Sequence, residues 1–338
     1  MWIAELAKCI RVMICFGSIA CFVPGPAWAQ PNPGTEESEV AKPVGGEANG
    51  KATADNGTIA CTARQALGTS RILSVGVDGG PAIGLKTYPQ TLPLADREVV
   101  LTFDDGPLPG STGSILETLQ RECVLATFFL IGRNAAAHPD LVRREIGAGH
   151  SVGHHSYSHP YVTLRGLPDE AARTEIEKGI AADEQAGWGK AATADAPHVP
   201  FFRFPGFADT KPLIEWLGSR NIAVFGTDVW ASDWNMMTPQ AELELLLARV
   251  ETAGKGIVLL HDTRPQTAAM LPEFLRELKR RGFHIVHVVP GPGKPETLAA
   301  PPGWTSETEA VLARIMPKLL ARQKPNSKRL STSPANLR

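Results

Sequence analysis

A chain of 338 residues with 43% hydrophobic and 20% charged side chains has the make-up of a folded globular protein and excludes a wholly disordered one. Its 34 basic and 35 acidic residues leave a formal charge of −1, so no positive excess points to nucleic acid or an anionic membrane surface as partner.

The first thirty residues differ in kind from the rest. Lys8 and Arg11 precede an apolar run from Val12 to Val23, then Pro24, Pro26 and the small-x-small sequence Ala27-Trp28-Ala29. This is the layout of a secretory signal peptide over residues 1–29, and it predicts an exported product, periplasmic or extracellular. The apolar run is shorter than the roughly 20 residues that span a bilayer. Length therefore speaks against an uncleaved anchor, and no stable membrane insertion is expected after cleavage. Cys9, Cys15 and Cys21 would leave with the signal. Cys61 and Cys123 remain, and an oxidising compartment suggests one disulfide between them, with two buried thiols as the alternative. Residues 30–60, rich in Gly, Pro, Glu, Asn and Thr, read as a disordered, solvated linker. Residues 61–96 carry short apolar runs cut by Gly79-Gly80-Pro81 and read as a small β-rich extension.

From Glu98 the chain alternates strand-like and helix-like blocks. Apolar runs occur at 98–103, 126–131, 150–155, 201–205, 223–228, 256–261 and 283–288. Amphipathic stretches lie between most of them: Pro139 to Ile146, Pro168 to Ala186 closed by Gly187, and Thr238-Pro239 onward to Gly254. About seven strands alternating with helices predict a parallel α/β domain over 97–290, as an open sheet or a barrel. The Pro/Gly-rich tail, 291–338, with one helix-like piece at 306–322 interrupted by Pro317, reads as peripheral.

Five polar signals sit at the carboxyl ends of these strands, the end where parallel α/β folds bind ligands. Thr102-Phe103-Asp104-Asp105-Gly106-Pro107 runs a strand into two adjacent carboxylates. Neighbouring side chains on a strand face opposite ways, so both can share a site only where the chain turns. His154-His155-Ser156-Tyr157-Ser158-His159 places His155 and His159 four apart, so one helical turn would aim both imidazoles together. Two His and one carboxylate form a metal set that leaves positions open. Phe202-Arg203-Phe204-Pro205-Gly206 puts an Arg inside an apolar strand, where it needs a buried anion such as Asp104. Asp228-Val229-Trp230-Ala231-Ser232-Asp233-Trp234 interleaves acids with flat aromatic faces suited to sugar rings. Ile257-Val258-Leu259-Leu260-His261-Asp262 ends a buried strand in a titratable His able to donate a proton near neutral pH. Each signal has a plain structural reading as a helix cap, a packed His, a snorkelling Arg or a core Trp; their joint placement does not.

Together the five segments resemble the motifs of the NodB-homology polysaccharide deacetylases, carbohydrate esterase family 4. The resemblance covers roughly residues 97–290 and implies a distorted (β/α) barrel of about seven parallel strands. It further implies Asp104 as general base, oriented by Arg203, and His261 as general acid, tuned by Asp233. Asp105, His155 and His159 would hold one divalent cation, zinc foremost, with cobalt or nickel as alternatives. Trp234 and Leu259 would line the acetyl pocket, and Trp230 would belong to the sugar-binding rim. The third motif departs from the family pattern: Gly206 stands where Tyr is usual, which keeps the oxyanion N–H and loses a ring. In the fourth motif Trp230 stands where an Asp is frequent, with Asp228 as an extra acid. The expected activity is removal of N-acetyl groups from an amino-sugar polymer or oligomer, such as a chitooligosaccharide or peptidoglycan, with release of acetate. A small-molecule amidohydrolase, an O-acetyl xylan esterase and a non-catalytic glycan-binding member remain alternatives.

Overall fold

Each of the seven apolar runs contains a strand in the computed structural model, which describes residues 66–189 and 196–323. The expected signal peptide, linker and Cys61, and the tail beyond 323, lie outside the described residues. Cys123 is disulfide-bonded. The strands are β1 (Thr69–Gly76), β2 (Ala82–Ile83), β3 (Gln90–Thr91), β4 (Glu98–Asp104), β5 (Thr127–Leu130), β6 (Ser151–His154), β7 (Phe201–Phe202), β8 (Ala223–Phe225), β9 (Val229–Trp230), β10 (Gly256–His261), β11 (His284–Gly291) and β12 (Leu298–Ala299). The helices are α1 (Ser111–Arg121), α2 (Gly132–Ala137), α3 (Pro139–Gly147), α4 (Asp169–Trp188), α5 (Lys211–Gly218), α6 (Pro239–Ala253), α7 (Pro265–Arg280) and α8 (Glu307–Gln323).

All pairings in the main sheet are parallel, in the order β2-β8-β7-β6-β5-β4-β10-β9. β8, next to terminal β2, and β9, at the other end, thus lie far apart along this path, yet only Gly226-Thr227-Asp228 separates them in sequence. A three-residue link reaches at most about 14 Å, so the sheet must curl until its ends meet. The result is a distorted barrel with a seam. Asp228 seals that seam, accepting the Leu85 N–H at 2.7 Å, the Ile257 N–H at 2.8 Å and the Thr91 hydroxyl at 2.7 Å. The extra acid of the fourth motif is therefore part of the barrel wall and does not line the cleft.

The period-2 alternation of strands sorts the core into two layers. Val99, Leu101 and Phe103 of β4 pack outward with helix residues such as Leu246 and Phe274. Val100 packs inward with Phe129, Phe225 and Ile257. By the same parity Thr102 and Asp104 face the interior. Most of these strands are buried on both faces, which is why they read as continuous apolar runs.

Helix ends follow their local signals. Thr238 caps α6, its side chain accepting the Ala241 N–H, and Gly254 closes the helix in the left-handed region at φ 71°. α4 runs past the expected stop at Gly187 and ends at Gly189, φ 70°. Its Gly179 serves packing: a Cβ there would lie 2.5 Å from the Ser156 carbonyl carbon. Alanine in a helix interior normally gains about 1 kcal/mol over glycine. Here Gly179→Ala is expected to lose about 1–3 kcal/mol in urea unfolding, because the 155–159 loop must move aside. A stabilised variant would refute this close contact.

Two segments are tied to the barrel more intimately than their composition suggests. β1 pairs along β11, and β2 pairs with β8, so residues 69–83 extend the main sheet. β3 and β12 form a separate antiparallel pair. The tail segment after 290, read from sequence as peripheral, forms α8, which continues through Pro317. Leu312 and Met316 pack on Ala208, the Thr308 N–H donates to the Lys86 carbonyl at 3.0 Å, and Glu307 and Glu309 pair with Lys86 and Arg165. No helix among the described residues is long and apolar enough to cross a membrane.

Candidate active site

β4 and β10 lie side by side with His261 opposite Asp104 in register, so both side chains leave the same end of the barrel facing inward. Asp105 follows in the left-handed region, φ 78°, which turns its carboxylate toward the cleft that Asp104 also lines. Gly106 must follow it without a side chain, because a Cβ there would sit 2.0 Å from an Asp262 carboxylate oxygen. The His155–His159 loop is held from below: the Gly132 and Arg133 N–H groups donate to the Ser156 and Tyr157 carbonyls, and Glu175 accepts from Ser158.

The Asp105 Oδ1 atom lies 3.6 Å from His155 Nε2 and 3.7 Å from His159 Nε2. Donor atoms of these three residues all fall within 4.8 Å of one another. Asp105 Oδ1 is buried and has no hydrogen-bond partner. The second nitrogen of His155, Nδ1, donates to the Arg203 carbonyl at 2.7 Å, which leaves the Nε2 lone pair facing Asp105. Burial pushes this imidazole down to about 3, so it stands neutral, as a ligand must. Ligands on tetrahedral zinc with bonds of about 2.0–2.1 Å sit roughly 3.4 Å apart. An orphaned carboxylate oxygen between two aimed imidazoles at nearly that spacing fits a divalent cation.

Asp104 stands beside the triad, its Oδ2 3.9 Å from His155 Nε2 and its Oδ1 accepting from Arg203 Nη1 at 2.7 Å. Arg203 is fully buried inside the barrel. It also donates to Thr102 Oγ1 at 2.8 Å and the Gly226 carbonyl at 2.9 Å, and stacks 4.2 Å from the Phe129 ring centroid. Burial raises the Asp104 carboxyl above its usual range against the pull of this guanidinium. On the far side, His261 Nε2 is 4.0 Å from Asp105 Oδ2, while its Nδ1–H donates to Asp233 Oδ1 at 2.8 Å. Burial lowers the His261 imidazole, but the Asp233 hydrogen bond and the acidic neighbours outweigh it and hold it up at about 9.

The expected residues Asp104, Asp105, His155, His159, Gly206, Trp230, Trp234, Leu259 and His261 line one cleft of about 360 Å³; Arg203 and Asp233 stand behind it. Trp230 and Trp234 meet edge to face, centroids 5.8 Å apart, with Trp234 43% exposed at the mouth.

The family model described as polysaccharide deacetylase matches residues 92–215. A chitooligosaccharide deacetylase of Rhizobium leguminosarum bv. trifolii is 47% identical over 205 residues, 56% of this chain and 89% of the relative. The chain belongs to the polysaccharide deacetylase family. A peptidoglycan-N-acetylglucosamine deacetylase, PgdA, of Listeria monocytogenes is 33% identical over 193 residues, 57% of this chain, and the match spans only 38% of that longer protein. Among solved structures, a peptidoglycan deacetylase of Bdellovibrio bacteriovorus superposes with a TM-score of 0.58 at 29% identity, covering 68% of this chain and 61% of that one.

Against this family's pattern, Gly206 takes φ 60°, a conformation that suits glycine, and lines the cleft. The ring missing from that position is replaced in part by its neighbour: Phe207 lines the same wall, 6.4 Å from the Trp230 ring. Sequence reasoning passed over Phe207 because it lies one place beyond the motif. It also passed over Arg264 and the α8 residues Thr308, Val311 and Ile315, which complete the cleft. Positions 308, 311 and 315 lie in the piece read from sequence as helix-like and peripheral, and their spacing on one helix face was the available signal.

Proposed function

We propose that this chain is an exported, metal-dependent N-deacetylase that releases acetate from a polymer or oligomer containing N-acetylated amino sugars, such as peptidoglycan or a chitooligosaccharide. The observation that carries the reading is the orphaned Asp105 Oδ1 between two imidazoles, with a separate carboxylate at 3.9 Å from one of them and His261 opposite. A polymer is favoured over a small amide by the open rim, where Trp234 is 43% exposed next to Trp230. The partner is thus a glycan, with no role for nucleic acid, in keeping with the near-neutral charge.

One divalent cation, zinc foremost and cobalt or nickel as alternatives, would be held by Asp105, His155 and His159 and would supply Lewis acidity toward the acetamide carbonyl and a water. Asp104 takes a proton from that water. Its raised affinity for protons suits the task, since a base nearer neutrality captures the proton more completely. Arg203 fixes the Asp104 carboxylate through Nη1, and its carbonyl fixes His155. The Gly206 N–H is assigned to the developing oxyanion, a contact worth about 3–4 kcal/mol. Leu259 and Trp234 enclose the acetyl methyl. His261, protonated and held by Asp233, gives its proton to the sugar nitrogen, because an amide nitrogen does not leave as an anion. Acetate and a free amine result.

Acetate release from N-acetylated chitooligosaccharides and from peptidoglycan should stop on chelation and return with added zinc, cobalt or nickel. Turnover that persists after complete metal removal would rule the scheme out.

A further inference from the structure

Behind His261 and Asp233 lie two buried groups that no motif marks. Thr267 Oγ1, on the first turn of α7, is 2.9 Å from Asp233 Oδ2 and 2.8 Å from Glu242 Oε1 on α6. Asp233, Glu242 and Thr267 are all fully enclosed. A hydroxyl carries one proton, so Thr267 can donate to only one of two carboxylates. The other contact needs a proton of its own, or two acceptors face each other in a dry site.

The geometry decides where that proton lies. Asp233 receives three donors: the His261 backbone N–H at 2.7 Å, His261 Nδ1–H at 2.8 Å and the Thr267 hydroxyl. Such a carboxylate is ionised, and it sits below its usual range: burial pushes it up, but the His261 charge and hydrogen bonds prevail. Glu242 has Thr267 as its hydrogen-bond partner, and its Oε2 has none. An ionised carboxylate so placed is far costlier than a neutral acid.

We propose that Glu242 is a neutral carboxylic acid that positions the proton donor, through the chain Glu242 O–H to Thr267 O–H to Asp233 carboxylate to His261. Glu242 touches neither substrate nor the metal triad; it is a positioning residue. By donating to Thr267 it orients the hydroxyl toward Asp233, which in turn fixes the tilt and the Nδ1–H tautomer of His261. This role rests on the deacetylase reading above, whereas the protonation state of Glu242 does not.

The charged groups bearing on Glu242 are Asp233, from the loop after β9, which favours its protonation, and His261, from β10, which opposes it; α7 offers only the neutral Thr267. Burial is the largest influence and lifts Glu242 from 4.5 to about 7. A folded-state value above the unfolded one means that the native state binds more protons between these limits. Wild-type stability therefore falls as pH rises from about 4.5 to 7, and the loss is complete above the folded value.

Two measurements test the inference. In urea unfolding of the full protein at pH 5 and pH 8, Glu242→Gln cannot ionise, so it should gain on the wild type with rising pH, by up to about two orders of magnitude in the folding equilibrium. This arm needs no turnover, so it stands even if no deacetylase activity is found. In steady-state kinetics of the metal-loaded enzyme, Glu242→Ala should lower kcat about 10- to 100-fold with KM retained, and Glu242→Gln should recover most of that kcat through its amide N–H. A Gln variant as slow as the Ala variant would overturn the positioning role. A Gln-to-wild-type stability gap that stays flat or shrinks between pH 5 and 8 would overturn the neutral acid.

Discussion

Asp104→Asn is expected to bind the cation as the wild type does and to lose turnover by about 10²–10⁴-fold. The substitution keeps the shape of the side chain and its oxygen toward Arg203 Nη1, 2.7 Å away in the native protein. The proposed ligands Asp105, His155 and His159 are untouched, so zinc content after dialysis should match that of the wild type. What disappears is the carboxylate beside the proposed ligands, 3.9 Å from His155 Nε2, and with it the proposed base. Acetate release and metal content measured on the same preparation separate the two roles. Loss of metal with loss of rate would make Asp104 a ligand, and an active Asn variant would move the base elsewhere.

Arg203→Ala is expected to be the most damaging single change to the fold. Arg203 is among the largest fully buried side chains, and its guanidinium is the cation paired with the enclosed Asp104. Removal leaves a buried carboxylate unpaired, worth about 3–5 kcal/mol, and strips donors from the Thr102 hydroxyl and the Phe225 and Gly226 carbonyls. Arg203→Lys should be intermediate, since one ammonium cannot serve four acceptors across the barrel. The double variant Arg203→Ala/Asp104→Asn should be more stable than Arg203→Ala alone, because the stranded charge is gone. Equal stabilities for the two would show that lost packing, and not the unpaired charge, sets the cost.

The sequence revealed the barrel's strands because parallel strands covered on both faces must be apolar throughout, as in Glu98–Asp104 and Gly256–His261. It revealed the cleft because Asp104, His155, Arg203 and His261 are polar groups at the ends of such strands, where each is conspicuous. What stayed hidden is whatever depends on three-dimensional pairing alone. Asp228 looked like part of a sugar-binding rim, yet it caps N–H groups from two distant segments. Glu242 sits in an ordinary amphipathic helix, and nothing in its neighbours along the chain announces Thr267. β7 ends at Phe202, three residues short of the apolar run, although the Arg203 N–H still donates to the His154 carbonyl at 3.0 Å; the chain then turns at Pro205–Phe207. α8 was legible as a helix-like piece at 306–322, but Pro317 does not interrupt it, and nothing in its composition announced that it packs beside the cleft.

Asp105, Ser156, His159, Phe207 and Ser232 all adopt left-handed backbone, φ 50–78°, at the chemical end of the barrel. Each such residue with a side chain gives up about 1–2 kcal/mol relative to relaxed backbone. Glycine would relieve that tension at any of them, and at Asp105 or His159 it would also erase a proposed ligand. Selection for heat tolerance and selection for turnover would accordingly draw these positions in opposite directions. A library screened for thermal survival alone should accumulate glycine there, and should enrich well-folded proteins that have lost their cation.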